Sequence, residues 1–207
     1  KKGKCFWMRV YEIPEGSKAS KGRAIQNLIN LPKDDKVMAY INTKDLKDDE
    51  YINSHYIVMC TKQGVIKKTS LEQYSRPRTN GINAITIREG DQLLEAKMTT
   101  GKSQIMMAVK SGKSIRFEEE KVRAMGRTAA GVRGVRLAGK NDEVVGMICI
   151  DDMQSSVLVV SEHGYGKRSD VEDYRITNRG GKGVKTINIT EKTGNLIALK
   201  NVTDLDD

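Results

Sequence analysis

The chain repeats itself, and a period near 50 residues limits its fold more than any other feature. Three segments run from an apolar stretch into a glycine: Tyr56 to Gly64, Ile105 to Gly112 and Val157 to Gly164. Gly3 begins the same pattern with its opening stretch missing. A second glycine follows at Gly22, Gly81, Gly131 and Gly183, at spacings of 19, 17, 19 and 19 residues. Next come an apolar stretch, a polar turn and another apolar stretch. The turns are Asp34-Asp35, Glu89-Gly-Asp91, Asn141-Asp-Glu143 and Thr193-Gly-Asn195. They lead into Val37–Ile41, Leu93–Lys97, Val144–Ile148 and Leu196–Lys200. Boundaries near 1–54, 55–103, 104–155 and 156–207 divide the chain into four units.

The stretches are short, rich in β-branched residues and bounded by Gly, Asn and Asp, which favours strands. About four strands per unit at this period predict an all-β fold of about four propeller-like blades, not a helical solenoid. Brief helical turns are predicted at Glu118 to Arg123 and Asp170 to Tyr174. Asn42 to Ser54 has no counterpart in the other units and reads as a longer surface loop. With 38% hydrophobic residues the chain can bury a core. No apolar run approaches the roughly 20 residues that span a bilayer. No signal-peptide pattern stands at the start, and the chain opens without an initiator methionine in a strand-like stretch, Lys4 to Val10, so it reads as a piece of a longer protein. Cys5, Cys60 and Cys149 are far apart in apolar stretches and read as buried thiols of a reducing, cytoplasmic protein.

Formal net charge is +9, and its placement is uneven. A basic stretch surrounds each second glycine: Ser17–Arg23, Ser75–Gly81, Arg123–Arg136 and Arg175–Lys185. None contains an acidic residue, although the chain has 27. Arg and Lys neutralise phosphates, and glycine lets backbone N–H groups approach them. Equivalent loops on successive blades would line one rim and form a curved positive track. The candidate DNA-binding residues are Lys18, Lys21, Arg23, Arg76, Arg78, Arg123, Arg127, Arg133, Arg136, Arg175, Arg179, Lys182 and Lys185. Few aromatics accompany them, which favours duplex DNA over stacked single strands.

Catalytic patterns do not survive inspection. Gly126 and Gly131 have the spacing of a phosphate-binding loop, but Val132 stands where lysine is required. His55 and His163 are isolated, and the aspartates of Asp45–Asp49 and Asp151–Asp152 miss calcium-loop spacing. No catalytic, cofactor or metal residue is assigned.

Across its whole length the sequence resembles the C-terminal domain of bacterial DNA gyrase A subunits. The resemblance is carried by Lys21 to Ile29, by Arg123 to Arg136 with its Gly-Val-Arg-Gly-Val-Arg run, and by Gly164 to Arg168. The corresponding domain of topoisomerase IV has similar, more degenerate repeats and stays an alternative, as does a propeller that binds protein or anionic surfaces. The resemblance implies a β-pinwheel, in which neighbouring blades exchange strands, and here an incomplete ring. It implies DNA wrapped around the outer rim in support of ATP-dependent negative supercoiling. ATP and Mg2+ would act in other domains, and no cofactor is expected in this stretch. Implied partners are double-stranded DNA, gyrase B and the rest of the gyrase A protein in an A2B2 heterotetramer, with no membrane. The implied place is the bacterial cytoplasm, at the nucleoid. Asn178 to Gly183 resembles the core of the family's glutamine-arginine-arginine-glycine-glycine-lysine-glycine box, whose usual place precedes this stretch.

Overall fold

The structure, a computed structural model, describes residues 1–206. The first unit contributes β1 (Lys4–Cys5), and helix α1 (Asp49–Ser54) leads into the second. The second unit holds β2 (Tyr56–Thr61), β3 (Val65–Ser70), β4 (Ile82–Asn83) and β5 (Leu93–Thr99). The third holds β6 (Gln104–Val109), β7 (Lys113–Glu118), β8 (Val132–Arg133) and β9 (Val144–Ile150). The fourth holds β10 (Ser156–Ser161), β11 (Gly166–Asp170), β12 (Val184–Lys185) and β13 (Leu196–Val202).

Within units two to four, the first long strand pairs antiparallel with both the second and the last. The short strand after each second glycine leaves its own unit. Thus β4 pairs with β1, β8 with β3 and β12 with β7. The sheets read β5-β2-β3-β8, β12-β7-β6-β9, β11-β10-β13 and β1-β4. Each of the last three units supplies four strands, yet its short third strand lies in the preceding sheet. Strand exchange between blades, implied by the resemblance, is therefore present.

Side chains bolt the blades together as well. Four residues beyond each of the first three opening glycines stands a donor aimed at the next blade. Trp7 Nε1 donates to the Tyr74 carbonyl at 3.1 Å. Lys68 Nζ donates to the Glu119 carbonyl at 3.3 Å, and Arg116 Nη1 to those of Val171 and Tyr174 at 2.7 Å each. The receivers lie in or at one-turn 3-10 helices: Leu71–Tyr74, Glu119–Lys121 and Val171–Asp173. Three core clusters hold the blades together. One joins Val58, Cys60 and Ile66 of the second unit to Ile105, Met107 and Phe117 of the third.

The acidic turns tie each unit's sheet at its hairpin. Asp35, Asp91 and Asp142 accept the backbone N–H groups of Lys2, Gln63 and Ser111 at 3.2, 3.0 and 2.9 Å, each just before a first glycine. In the fourth unit the direction reverses: Glu162 accepts from the backbone N–H of Asn195 at 2.9 Å.

Several expectations need correction. Val37–Ile41 forms no strand. Its counterparts β5, β9 and β13 pair with the opening strand of their own unit, and among the described residues the first unit has no such strand. Asn42–Ser54 is not simply a loop, because it ends in α1. Asp48 caps that helix by accepting from Tyr51 N–H at 3.1 Å, and Ile52 is buried. The helical turns are shorter than predicted, Glu119–Lys121 and Val171–Asp173. Cys60 is buried, whereas Cys5 and Cys149 are only half-buried; all three thiols are free. Burial pushes the Cys149 thiol up to about 12 and the Cys5 thiol to about 11.

Candidate nucleic-acid interface

Each basic loop of units two to four comes after its unit's 3-10 turn and leads into its exchanged strand. In the third unit, Met125 N–H donates to the Lys68 carbonyl at 2.9 Å, and Arg127 N–H to Gln73 Oε1 at 3.0 Å. Arg127 Nη1 then reaches the Asn83 carbonyl at 3.2 Å, while Thr86 Oγ1 donates to the Thr128 carbonyl at 2.7 Å. The fourth unit repeats this layout. Thr177 N–H donates to the Arg116 carbonyl at 2.8 Å. Arg179 donates through Nε to the Lys121 carbonyl and through Nη1 to the Arg133 carbonyl, at 2.9 and 3.1 Å. Gly180 N–H donates to the Gly134 carbonyl, and Arg136 N–H returns a bond to the Gly181 carbonyl at 2.8 Å. Asn30 Nδ2 meets Asn80 Oδ1 at 3.4 Å between the first two units. The third and fourth loops thus lie against the segment after the previous unit's second glycine, so the loops form one succession.

The thirteen candidate cations divide into two kinds. Arg127 and Arg179 are half-buried, four residues before their second glycines, and hold a carbonyl of the previous unit. The other eleven are exposed: Lys18, Lys21, Arg23, Arg76, Arg78, Arg123, Arg133, Arg136, Arg175, Lys182 and Lys185. Among the described residues no ion pair involves any of the thirteen; the cations that are paired are Lys1, Lys2, Lys62, Lys68, Lys97 and Arg168. Several carboxylates are instead engaged at the hairpin turns, so the loops keep their charge. The first unit's loop is tied less firmly. Its bonds within Ser17–Arg23 are those of Ser20 to the Ser17 carbonyl.

Two cations near the loops escaped the sequence reading. Arg88 shares an open polar groove with Arg133, between the Gly64 turn and the Glu89–Asp91 turn. Its adjacency to acidic residues disguised it. Lys67 is buried beneath the Arg127 loop. The available signal was a Lys-Lys pair in the run Val65–Ser70. The histidines are occupied locally: His55 Nδ1 lies 2.8 Å from the Tyr51 carbonyl and His163 Nδ1 3.0 Å from that of Lys192. Among the described residues no group of three or more potential metal ligands converges, and no helix is long and apolar enough to cross a membrane. The arrangement offers a series of exposed guanidinium and ammonium groups, suited to phosphates in series.

The family model described as the DNA gyrase C-terminal domain, β-propeller, matches residues 1–44, 55–99, 103–151 and 155–203. The DNA gyrase A protein of Staphylococcus epidermidis is 44% identical over all 207 residues, which span 23% of its length. Its counterpart from Staphylococcus aureus is 42% identical over the same share. A solved DNA gyrase A C-terminal domain superposes with a TM-score of 0.79 at 25% identity, covering 98% of this chain and 64% of that one. A C-terminal domain of DNA topoisomerase IV superposes at 0.85 with 24% identity, covering 98% and 62%, a likeness of fold.

Proposed function

The chain belongs to the DNA gyrase C-terminal domain family, and from that premise we propose that its basic loops bind duplex DNA without reading sequence. The duplex follows the succession of loops and bends around the blades. In the longer protein this wrap supports ATP-dependent negative supercoiling, with ATP and Mg2+ used by other domains and gyrase B as partner in an A2B2 heterotetramer. The observation that carries the reading is the set of eleven exposed loop cations, free of carboxylate partners among the described residues, with the third and fourth loops bonded to the preceding blade.

The chemistry comes from the groups the loops present. Arginine can hold a phosphate with two parallel N–H bonds. The loop cations recur from blade to blade, and contacts of this kind to phosphates fix a duplex in place without carrying sequence information. Bending a 20–30 bp site costs roughly 1–6 kcal/mol, so several loops must act together. If each loop neutralises about two phosphates, a fourfold rise in salt lowers affinity about 10⁴-fold.

The test uses closed circular DNA relaxed by a separate topoisomerase in the presence of the chain. Wrapping shifts the linking number and gives tighter binding to long duplexes than to short ones. An unchanged linking number together with weak duplex binding at about 50 mM salt would favour a protein or anionic-surface partner instead. Replacing Arg133 and Arg136 with alanine should weaken binding equally for all sequences and lower the salt slope by about 2.

A further inference from the structure

Lys67 is wholly buried, and its ammonium donates to the carbonyls of Ala84 and Arg127, each at 2.5 Å. Among the described residues no carboxylate pairs with it; the Glu119 carboxylate takes the neighbouring Lys68 instead, at 3.6 Å. The groups facing this junction are the Arg127 guanidinium from the third unit's loop, Tyr74 from the 3-10 turn and Cys5 from β1. Tyr74 donates to the same Ala84 carbonyl at 3.4 Å. Burial raises the Tyr74 phenol and the Cys5 thiol, so both stay neutral through mildly basic pH. Burial, with repulsion from Arg127, pushes Lys67 down to about 8.

The fold does not need that charge. Ile115 occupies the equivalent place in the third unit, and the fourth unit's loop lies over it, with Gly181 close to its Cδ1. That loop keeps its bonds to the preceding blade without a lysine beneath it. A buried, unpaired cation is costly, and a second cation beside it adds to the cost. An anion bound at Arg127 would offset both.

We propose that Lys67 is a positioning residue for a DNA phosphate held at Arg127. It fixes the loop through the Arg127 carbonyl and supports the phosphate with positive charge from beneath. Binding at this junction therefore takes up a proton whenever the lysine has lost its own. The inference rests on the DNA reading above and adds a proton linkage to it.

The linkage has a definite sign in both states. Without DNA, folded Lys67 releases its proton at lower pH than the unfolded lysine does. Its contribution to stability therefore rises between pH of about 8 and the ordinary lysine value of 10.5. With DNA bound, the protonated form is favoured, so affinity falls as pH rises through about 8.

Duplex binding is measured by fluorescence anisotropy at fixed ionic strength, at pH 7 and pH 9.5. The unsubstituted chain should lose affinity by about tenfold for each unit by which the phosphate raises the lysine. Lys67→Met should bind more weakly at pH 7 and lose most of that pH dependence. Equal pH slopes in both proteins overturn the proposal. Should Lys67→Met fail to fold, titration calorimetry of the unsubstituted chain at pH 8.5, in two buffers of different protonation heat, reads proton uptake directly. Uptake that vanishes in Arg127→Ala supports the linkage; no uptake, or uptake unaffected by Arg127→Ala, overturns it. Firm DNA binding without uptake sinks this inference alone, whereas no binding at any pH sinks the DNA reading too.

Discussion

Strands β7 and β11 occupy the same place in successive blades and differ in their neighbours. The inner residues of β7 are buried, and the strand takes β12 from the following unit on its outer edge. Four of the five residues of β11 are exposed, and no strand pairs with its outer edge among the described residues. Arg116 on β7 holds the next blade's turn, whereas its counterpart Arg168 turns to the exposed Asp204 at 2.5 Å. A blade here is finished by its neighbour: the same local sequence plan gives a buried strand in β7, where the fourth unit packs on it, and an exposed strand in β11, whose outer edge carries no strand among the described residues.

Glycine gives the sharpest way to break that comparison. Gly112 and Gly164 share a positive φ, +82° and +80°. A Cβ built on Gly112 would lie 2.7 Å from the carbonyl oxygen of Ile187 in the incoming segment, while one on Gly164 meets nothing within 4 Å. Gly112→Ala should cost about 3 kcal/mol, from the clash added to the backbone strain, and Gly164→Ala only the strain, about 1–2 kcal/mol. Urea denaturation measures both, and equal losses would mean that the exchanged segment is not held against Gly112.

The two arginines give a smaller effect. Arg116→Met strands the Val171 and Tyr174 carbonyls in a buried junction, at a cost of about 2–3 kcal/mol. Arg168→Met removes an exposed pair and should change stability by less than about 0.5 kcal/mol. A large loss at Arg168 would show that the open edge is already covered.

The blade plan was legible because it is written locally: paired glycines, alternating strands and polar turns recur in register. The destination of the short strands was not, since Val132-Arg133 and Val184-Lys185 look like any other part of their own repeat. Their partners β3 and β7 lie about 70 residues upstream. Val37–Ile41 resembles its counterparts in sequence, yet it forms no strand, and no opening strand of its own unit pairs with it among the described residues. For the loops, charge placement was readable and the division of labour was not. Arg127 and Arg179 read as two more loop cations, and only packing shows that they grip the preceding blade. Lys67 was hidden by the habit of reading lysine as exposed.

The smallest predicted effect concerns Asp204. Its carboxylate meets Arg168 at the surface, where solvent and salt screen the attraction. Asp204→Asn should leave the urea midpoint of unfolding unchanged within error, at low salt and at about 1 M salt alike. The buried counterpart behaves differently. Glu119 accepts from Thr99 Oγ1 at 2.7 Å and from Ser103 N–H at 3.1 Å beside Lys68, so Glu119→Gln should lower that midpoint at either salt concentration. If Asp204→Asn lowered the midpoint at low salt and not at high salt, Thr203–Asp206 would be acting as an electrostatic substitute for the next blade. The contrast between β7 and β11 would then lie in the kind of neighbour each strand has, carbonyl groups of a packed blade for one and a solvated carboxylate for the other.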